Sequence, residues 1–284
     1  ASQGVHIVLD RSFQPSDTAI MVPQTDDGRV LFVIPWHDRC LVGTTDTEVS
    51  EASIEPRPMA EEIEFILRNA ARYLDHDPKR EDILSCFAGL RPLVKADAET
   101  GGTKSISREH SVLISESGLV TIVGGKWTTY RKMAEDTVND AASIAGLEES
   151  ACRTEDLRLH GWMDRADPDL PSEGHMEMYG SEAAAVQAFL ADMPDGEALL
   201  HPDLPYARGQ IAWAARFEMA RTLDDVLARR TRSLLLNARA AMEAAPDAAA
   251  ILAAELGRDE AWQTHQVEAF RTLARLMDVT GNKL

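Results

Sequence analysis

The chain is short of basic residues: 29 Lys and Arg stand against 47 Asp and Glu, a formal net charge of −18 over 284 residues. Such a surface repels phosphates wherever basic side chains do not converge, which excludes nucleic acid and a broad anionic membrane face as partners held by charge. Cysteine is scarce as well. Cys40, Cys86 and Cys152 are odd in number, widely spaced and form no Cys-x-x-Cys, so neither a disulfide framework nor a zinc site is indicated and a reducing compartment fits best. No apolar run approaches the length of a membrane span, and no signal peptide or internal repeat is visible. A Gly-x-Gly-x-x-Gly dinucleotide turn is missing throughout. So is a P-loop: Trp127 follows Gly125-Lys126 where Ser or Thr is needed, and Val120 occupies the upstream glycine position. The chain begins at Ala1 without an initiator methionine and almost directly in a strand, which suggests a piece of something longer.

What is present is a globular composition, 44% hydrophobic and 27% charged, long enough for one large or two modest cores. From Gly4 to Val123 the texture is strand-rich. Val5, Ile7 and Leu9 alternate with His6, Val8 and Asp10, which puts His6 and Asp10 on one face of a first strand. Ala19 to Val22, Val30 to Ile34 and Cys40 to Gly43 read as further strands, with a hairpin turn at Asp26-Asp27-Gly28 and an end to the third strand at Pro35 and Trp36. Pro58 suits the first position of a helix whose apolar face is Ile63, Ile66, Leu67, Ala70, Ala71 and Leu74. Ile83 to Leu90 is extended again and stops at Arg91-Pro92. Asp97 to Gly102 reads as a surface loop, followed by strands over Ser105 to His110 and Val112 to Ser115, a turn at Glu116-Ser117-Gly118, and a last strand from Leu119.

The expected fold class is therefore α+β, a mostly antiparallel sheet with one helix laid on it, followed by an all-α C-terminal cap. Residues 1–147 form the first part; 148–176, with Pro168 and Pro171, form a linker; 177–284 form the alanine-rich helical cap. In the cap, Ser181 is expected to cap a helix through Val186, Phe189 and Leu190, and Thr222 with Asp225 to open another. Ser233 to Ala244 and Pro246 to Leu256 are expected as two separate helices, the second ended by Gly257. Trp262 through Met277 is the last.

The chemistry is expected where the strand Leu119 to Val123 runs through Gly124, Gly125 and Lys126 into a helix beginning near Trp127. The glycines permit a sharp turn and close approach of a ligand to the backbone. The first helical amides lack internal partners and sit at the positive end of the dipole, and Lys126 adds a mobile charge. Strand, glycine turn and helix occur in many α/β proteins, so these residue types alone specify no ligand. Arg91 and Arg108 lie at or near strand ends, and guanidinium forks suit a phosphate or a carboxylate as readily as a surface ion pair. His6, in an otherwise apolar strand, fits a hydrogen-bonded structural role as well as a chemical one. His160, His175, His201 and His265 show no metal-ligand spacing, and Arg229, Arg230 and Arg232 read as a solvated helix face.

Gly124-Gly-Lys-Trp-Thr-Thr-Tyr-Arg-Lys-Met-Ala, together with Gly4-Val-His-Ile-Val, Val33-Ile-Pro-Trp, Val42-Gly-Thr-Thr-Asp, Gly89-Leu-Arg-Pro-Leu and Ile106-Ser-Arg, resembles the FAD-dependent glycerol-3-phosphate dehydrogenases in order and spacing across Gly4 to Ala145. Asp224-Asp-Val-Leu-Ala-Arg-Arg-Thr-Arg resembles the cap of that family more weakly. The resemblance implies oxidation of glycerol 3-phosphate to dihydroxyacetone phosphate, with a hydride passing from C2 to FAD and electrons going on to a quinone or, in an oxidase branch, to oxygen. It implies Arg91 and Arg108 as the phosphate clamp. Gly124, Gly125, Lys126, Trp127 and Thr128 are implied at the pyrimidine edge of the flavin, and His6 near the reacting centre as proton acceptor or orienting donor, with Lys126 as the rival base. The family opens with a Gly-x-Gly-x-x-Gly segment that this chain lacks. The chain is accordingly expected to be the C-terminal portion of the enzyme, partnered by an N-terminal FAD-binding segment, with FAD absent from it and no turnover when it is alone. A cytoplasmic enzyme held peripherally on the inner face of the membrane through a local patch is implied; a homo-oligomer is left open. The alternatives are a fragment of an amine-type FAD oxidoreductase, against which the paired arginines count, and a non-enzymatic interaction module.

Overall fold

The computed structural model describes residues 1–91, 109–148, 150–171 and 174–280. The chain divides into two compact units, each assembled from discontinuous segments: Ala1–Gly4, Asp46–Pro56 and Gly89–His160 make the first, and Val5–Thr45, Arg57–Ala88 and Gly161–Leu284 the second. Strand β1 (Ser2–Asp10) belongs to both.

In the second unit β1 lies beside β4 (Arg39–Gly43), which pairs β3 (Leu31–Trp36), which pairs β2 (Ile20–Val22), all antiparallel. The expected inward set is kept, although Val8, on the other face, is buried as well. Val5, Ile7 and Leu9 are buried with Leu31, Val33 and Val42, and helix α1 (Ala60–Ala70) adds Ile63, Ile66 and Leu67 to the same core. Each such side chain removed from water contributes about 1.5–3 kcal/mol before the entropy of ordering it is counted. His6 and Asp10 are the two residues of β1 that stay accessible.

Two boundaries differ from the sequence expectation. Strand β3 does not end at Pro35 and Trp36 but continues through them, because His37 (φ 47°) and Asp38 (φ 58°) make a two-residue turn that pairs Trp36 with Arg39. Both left-handed positions match the twist of a hairpin. Pro35 is tolerated because β2 reaches only as far as Ile20, opposite Val33, so no ladder bond is asked of it on that side. Helix α1 begins at Ala60 rather than Pro58, since the Glu62 carboxylate accepts the Met59 N–H at 3.0 Å and fixes the first turn there. The Glu62 carboxylate also accepts the Thr45 hydroxyl at 2.9 Å, and Thr45 Oγ1 accepts the Val5 N–H at 3.0 Å, so a buried carboxylate is satisfied between sheet and helix.

The helical part of the second unit comprises α3 (Ala183–Asp192), α4 (Gly209–Phe217), α5 (Ser233–Leu236), α6 (Ala238–Leu256) and α7 (Glu260–Ala274), with a core around Leu223, Leu227, Leu252 and Phe270. Ser181 does not cap α3; it lies inside a 3-10 segment, Gly174–Glu182, that leads into it. Thr222 and Asp225 do cap each other, Asp225 N–H donating to Thr222 Oγ1 at 3.2 Å and Thr222 N–H to Asp225 Oδ2 at 3.0 Å, and the turn they open, Asp225–Arg230, is wound as a π-helix. Of the two helices expected around Pro246, the start of the first, Ser233–Leu236, is a short helix of its own, and the remainder of both is one. Asn237 starts α6 by accepting the Ala240 N–H at 3.1 Å, and the helix runs through Pro246 to a left-handed Gly257. Proline leaves the carbonyl four residues earlier without its donor. That carbonyl, Met242 O, is taken by Arg271 Nε from α7 at 3.3 Å.

In the first unit, β5 (Thr47–Glu48) pairs with Ser2 and Gln3 of β1. The last residues of β6 (Ser85–Arg91), the hairpin of β7 (His110–Ile114) and β8 (Val120–Gly124), and helix α2 (Tyr130–Ile144) complete its regular elements among the described residues. The loop expected at Asp97 to Gly102 and the strand expected from Ser105 lie outside the described residues apart from Glu109 and His110. The whole is the expected α+β class, antiparallel sheet followed by helices. Among the described residues no helix is long and apolar enough to cross a membrane.

Candidate active site

The hairpin turn at Ser115 to Leu119 sets the register of the corner. Gly118 N–H donates to Ser115 O at 2.9 Å and Ser115 N–H to Leu119 O at 3.1 Å, and from there Ile114 faces Val120 and, at the open end, His110 faces Gly124. Beyond that pair the chain turns through Gly124 (φ 74°) and Gly125 (φ 77°), two consecutive left-handed positions that side chains other than glycine adopt only with strain. A 3-10 turn, Trp127–Thr129, then leads into α2. Thr129 closes this turn on both sides: its hydroxyl accepts the Lys126 N–H at 3.2 Å and donates to Lys126 O at 3.0 Å. The amides of Trp127 and Thr128 occupy the opening positions of the turn, where no intrahelical acceptor exists.

Lys126 is exposed and lines a cavity of about 330 Å³ with Glu109, His110, Thr129 and Lys132. Trp127 stacks on Tyr130 with centroids 5.4 Å apart and remains 85% exposed. A cation, two amides at the open start of a 3-10 turn and an exposed aromatic face therefore lie at one bend. Their chemistry suits a flat, electron-accepting group whose edge gathers negative charge. The FAD pyrimidine edge fits this donor set.

Arg91 sits at the end of β6 in the same unit and is largely buried. Its Nη1 donates to Ser2 Oγ and Gln3 O, each at 3.2 Å, and lies 3.6 Å from Asp46 Oδ1, while the Ser2 hydroxyl is hydrogen-bonded to the same carboxylate. Asp46 is thus the acid beside the Arg91 guanidinium, and Ser2 is bonded to both. It is not among the described lining residues of the Lys126 cavity. Arg108 lies outside the described residues.

His6 belongs to the second unit. Its ring stacks on Phe87 with centroids 5.7 Å apart and planes 18° apart, and it stands across from Gly43 on β4. A Cβ built at Gly43 would overlap the imidazole, so glycine at that position is what leaves the ring its room.

Several residues of the site were given no role from sequence: His110, Asp136, Phe87, and Gly43 and Asp46 of the Val42-Gly-Thr-Thr-Asp motif. For His110 the signal was within reach, since counting back across the recognised turn at Glu116-Ser117-Gly118 places it opposite Gly124. The other four act through contacts distant in sequence. His110 Nε2 meets Asp136 Oδ2 of α2 at 2.9 Å, and hydrogen bonds from Lys132 and then from His110 hold the Asp136 carboxyl below the usual carboxylate range.

Residues 1–131 match the family model described as FAD dependent oxidoreductase. Residues 119–263 match the model described as the C-terminal domain of alpha-glycerophosphate oxidase, and the chain belongs to that family. It is 40% identical over 291 residues to a probable mitochondrial glycerol-3-phosphate dehydrogenase of Caenorhabditis elegans, covering 95% of this chain and 40% of that protein. The mitochondrial glycerol-3-phosphate dehydrogenase of Homo sapiens is 39% identical over 289 residues, with 95% and 39% covered. Among solved structures it is similar to the glycerol-3-phosphate dehydrogenase from Bacillus halodurans complexed with FAD, at a TM-score of 0.78 and 26% identity, over 100% of this chain and 58% of that one. The chain therefore spans about 40% of the length of the curated relatives it matches.

Proposed function

We propose that this chain is the substrate-binding and cap portion of an FAD-dependent glycerol-3-phosphate dehydrogenase, which oxidises sn-glycerol 3-phosphate to dihydroxyacetone phosphate and passes the electrons to a quinone. The observation that carries the reading is the corner: two left-handed glycines deliver Lys126 and the first amides of the following turn to one open bend. FAD, when bound, supplies the hydride acceptor. The remaining work falls to the protein. Lys126 and the Trp127 and Thr128 amides stabilise negative charge at the cofactor's edge, with the Thr128 hydroxyl as a further donor. Arg91 and Arg108 grip the phosphoryl group and so place C2. His6 takes the proton of the C2 hydroxyl or orients that hydroxyl. Its seat between Phe87 and Gly43 supports this role, since a ring held in one plane aims its nitrogens in one direction.

In this reading residues 1–147 are substrate sheet plus the last strand and helix of a flavin domain, 148–176 a linker and 177–284 the cap. The surface of β7, β8 and α2 supports it: α2 has no buried residue, and Leu113, Ile114, Leu119, Val138, Ile144 and Leu147 are exposed apolar side chains. So much apolar surface fits coverage by an N-terminal FAD-binding segment. The chain alone is then inactive, and the complete enzyme is cytoplasmic and held peripherally at the membrane. The matched relatives carry mitochondrial names.

The test uses the complete enzyme, this chain joined to the FAD-binding segment found in its relatives. Anaerobic glycerol 3-phosphate should bleach the bound flavin, and glycine should not. Bleaching by amines alone would replace the reading with the amine-type one. Failure to acquire flavin at all would favour the interaction module.

A further inference from the structure

The bend at Gly124 and Gly125 has no side chain of its own to set its angle. Glycine widens the range of backbone conformations, so what fixes such a turn must come from elsewhere. Here it comes from the end of β7. The Gly125 N–H donates to Glu109 O at 3.3 Å, and His110, standing opposite Gly124, reaches past the bend to Asp136 in the second turn of α2 at 2.9 Å. Lys132 Nζ, one turn earlier on α2, holds the other oxygen of the same carboxylate at 2.7 Å. Met133 fills the space beside Gly125, and a Cβ built there would come within 3.2 Å of His110 Cβ. From β7, His110 therefore ties the β7–β8 hairpin to α2 across the two glycines at which the chain leaves β8. It also lines the same cavity as Lys126.

We propose that His110, anchored on Asp136, is a positioning residue of the oxidoreductase: it sets the angle between β7–β8 and α2, and thereby the placement of Lys126 and the Trp127 and Thr128 amides against the anionic edge of the cofactor. The inference rests on reading the corner as the flavin site. Electrostatic stabilisation depends on preorganised donors, and a displacement on the order of 1 Å costs as much as about a hundredfold in rate.

The experiment takes the complete holoenzyme with His110→Phe, His110→Gln, Asp136→Ala and Lys126→Met, and reads FAD content, the absorption spectrum of the bound flavin, and stopped-flow flavin reduction by glycerol 3-phosphate. Phenylalanine keeps the bulk and loses the bond; glutamine keeps a donor for Asp136. His110→Phe should retain FAD, shift the flavin spectrum and slow reduction about tenfold or more, with KM changed less than about twofold. His110→Gln should recover most of the rate. Asp136→Ala should resemble His110→Phe, and combining the two should add little, the signature of one shared contact. Wild-type reduction and an unshifted spectrum in His110→Phe, or an equal loss in His110→Gln with FAD retained, would overturn the positioning role. The Lys126→Met arm separates the two levels. If it too leaves rate and spectrum unchanged, the flavin is not at this corner and the functional reading falls with the inference; if it is impaired while His110→Phe is not, only the inference falls.

Discussion

The imidazole of His6 occupies the space that a side chain at Gly43, its partner across β1 and β4, would fill. Gly43 is not in the left-handed region, so what it contributes is room and not backbone freedom. Gly43→Ala should displace the His6 ring, cost about 1–3 kcal/mol of stability as an overpacking change, and slow substrate reduction of flavin in the complete enzyme. Thermal unfolding and stopped-flow traces check this. An unchanged reduction rate would show that the orientation of His6 does not matter to the reaction.

Arg91 is anchored to Asp46 and the start of β1, which makes it a positioned guanidinium in place of a mobile charge. Arg91→Lys keeps the charge and loses the fork. KM for glycerol 3-phosphate should rise about tenfold or more, the range for one lost charge-assisted hydrogen bond. If KM stays within about twofold, Arg91 does not hold the phosphate.

The three thiols are free and should differ in reactivity. Burial pushes Cys40 up to about 11 and Cys86 up to about 12, whereas Cys152 is exposed and hydrogen bonds from Thr154 lower it below the ordinary thiol value. The thiolate is the reacting form. Labelling of the native chain with a thiol reagent near pH 8 should consume Cys152 alone, with a rate that climbs with pH as the thiolate fraction grows; denaturation should release the other two. Rapid labelling of Cys40 or Cys86 in the native chain would contradict their burial.

Arg271 and Pro246 should be coupled. Arg271→Ala strips the Met242 carbonyl of its donor, at a cost of about 1–2 kcal/mol. In a Pro246→Ala background the helix supplies an N–H of its own at that carbonyl, so the same replacement should cost less. Equal costs in both backgrounds, measured by urea unfolding, would mean that Arg271 acts by other contacts.

The parts of this fold that were legible in the sequence are those governed by neighbouring residues. The alternation of Val5, Ile7 and Leu9, the Thr222 and Asp225 cap, the left-handed Gly257 and the Gly124-Gly125-Lys126 bend each follow from local pattern. Where sequence reasoning erred, a distant or unusual partner decided. Pro246 read as a helix start because nothing nearby in sequence shows that Arg271 will cover the orphaned carbonyl. His37 and Asp38 read as the aftermath of a strand because left-handed turns are ordinarily marked by glycine or asparagine, and neither is there. In the site, residue types pointed to the bend and the arginine, while the partners of Asp46, Gly43 and Asp136 became visible only once the register and the packing were known.

Strand β1 contributes its first three residues, Ser2 to Gly4, to one compact unit and the remainder to the other, and each unit is stitched from three stretches of polypeptide. Neither can be excised by a single cut. A chimera that exchanged one unit for its counterpart in a relative would have to graft three segments at once, with joins inside two β-strands, β1 and β6. Recombination at any single crossover would leave a protein with mismatched halves of a core, so variation in such a chain is channelled into point changes and surface loops.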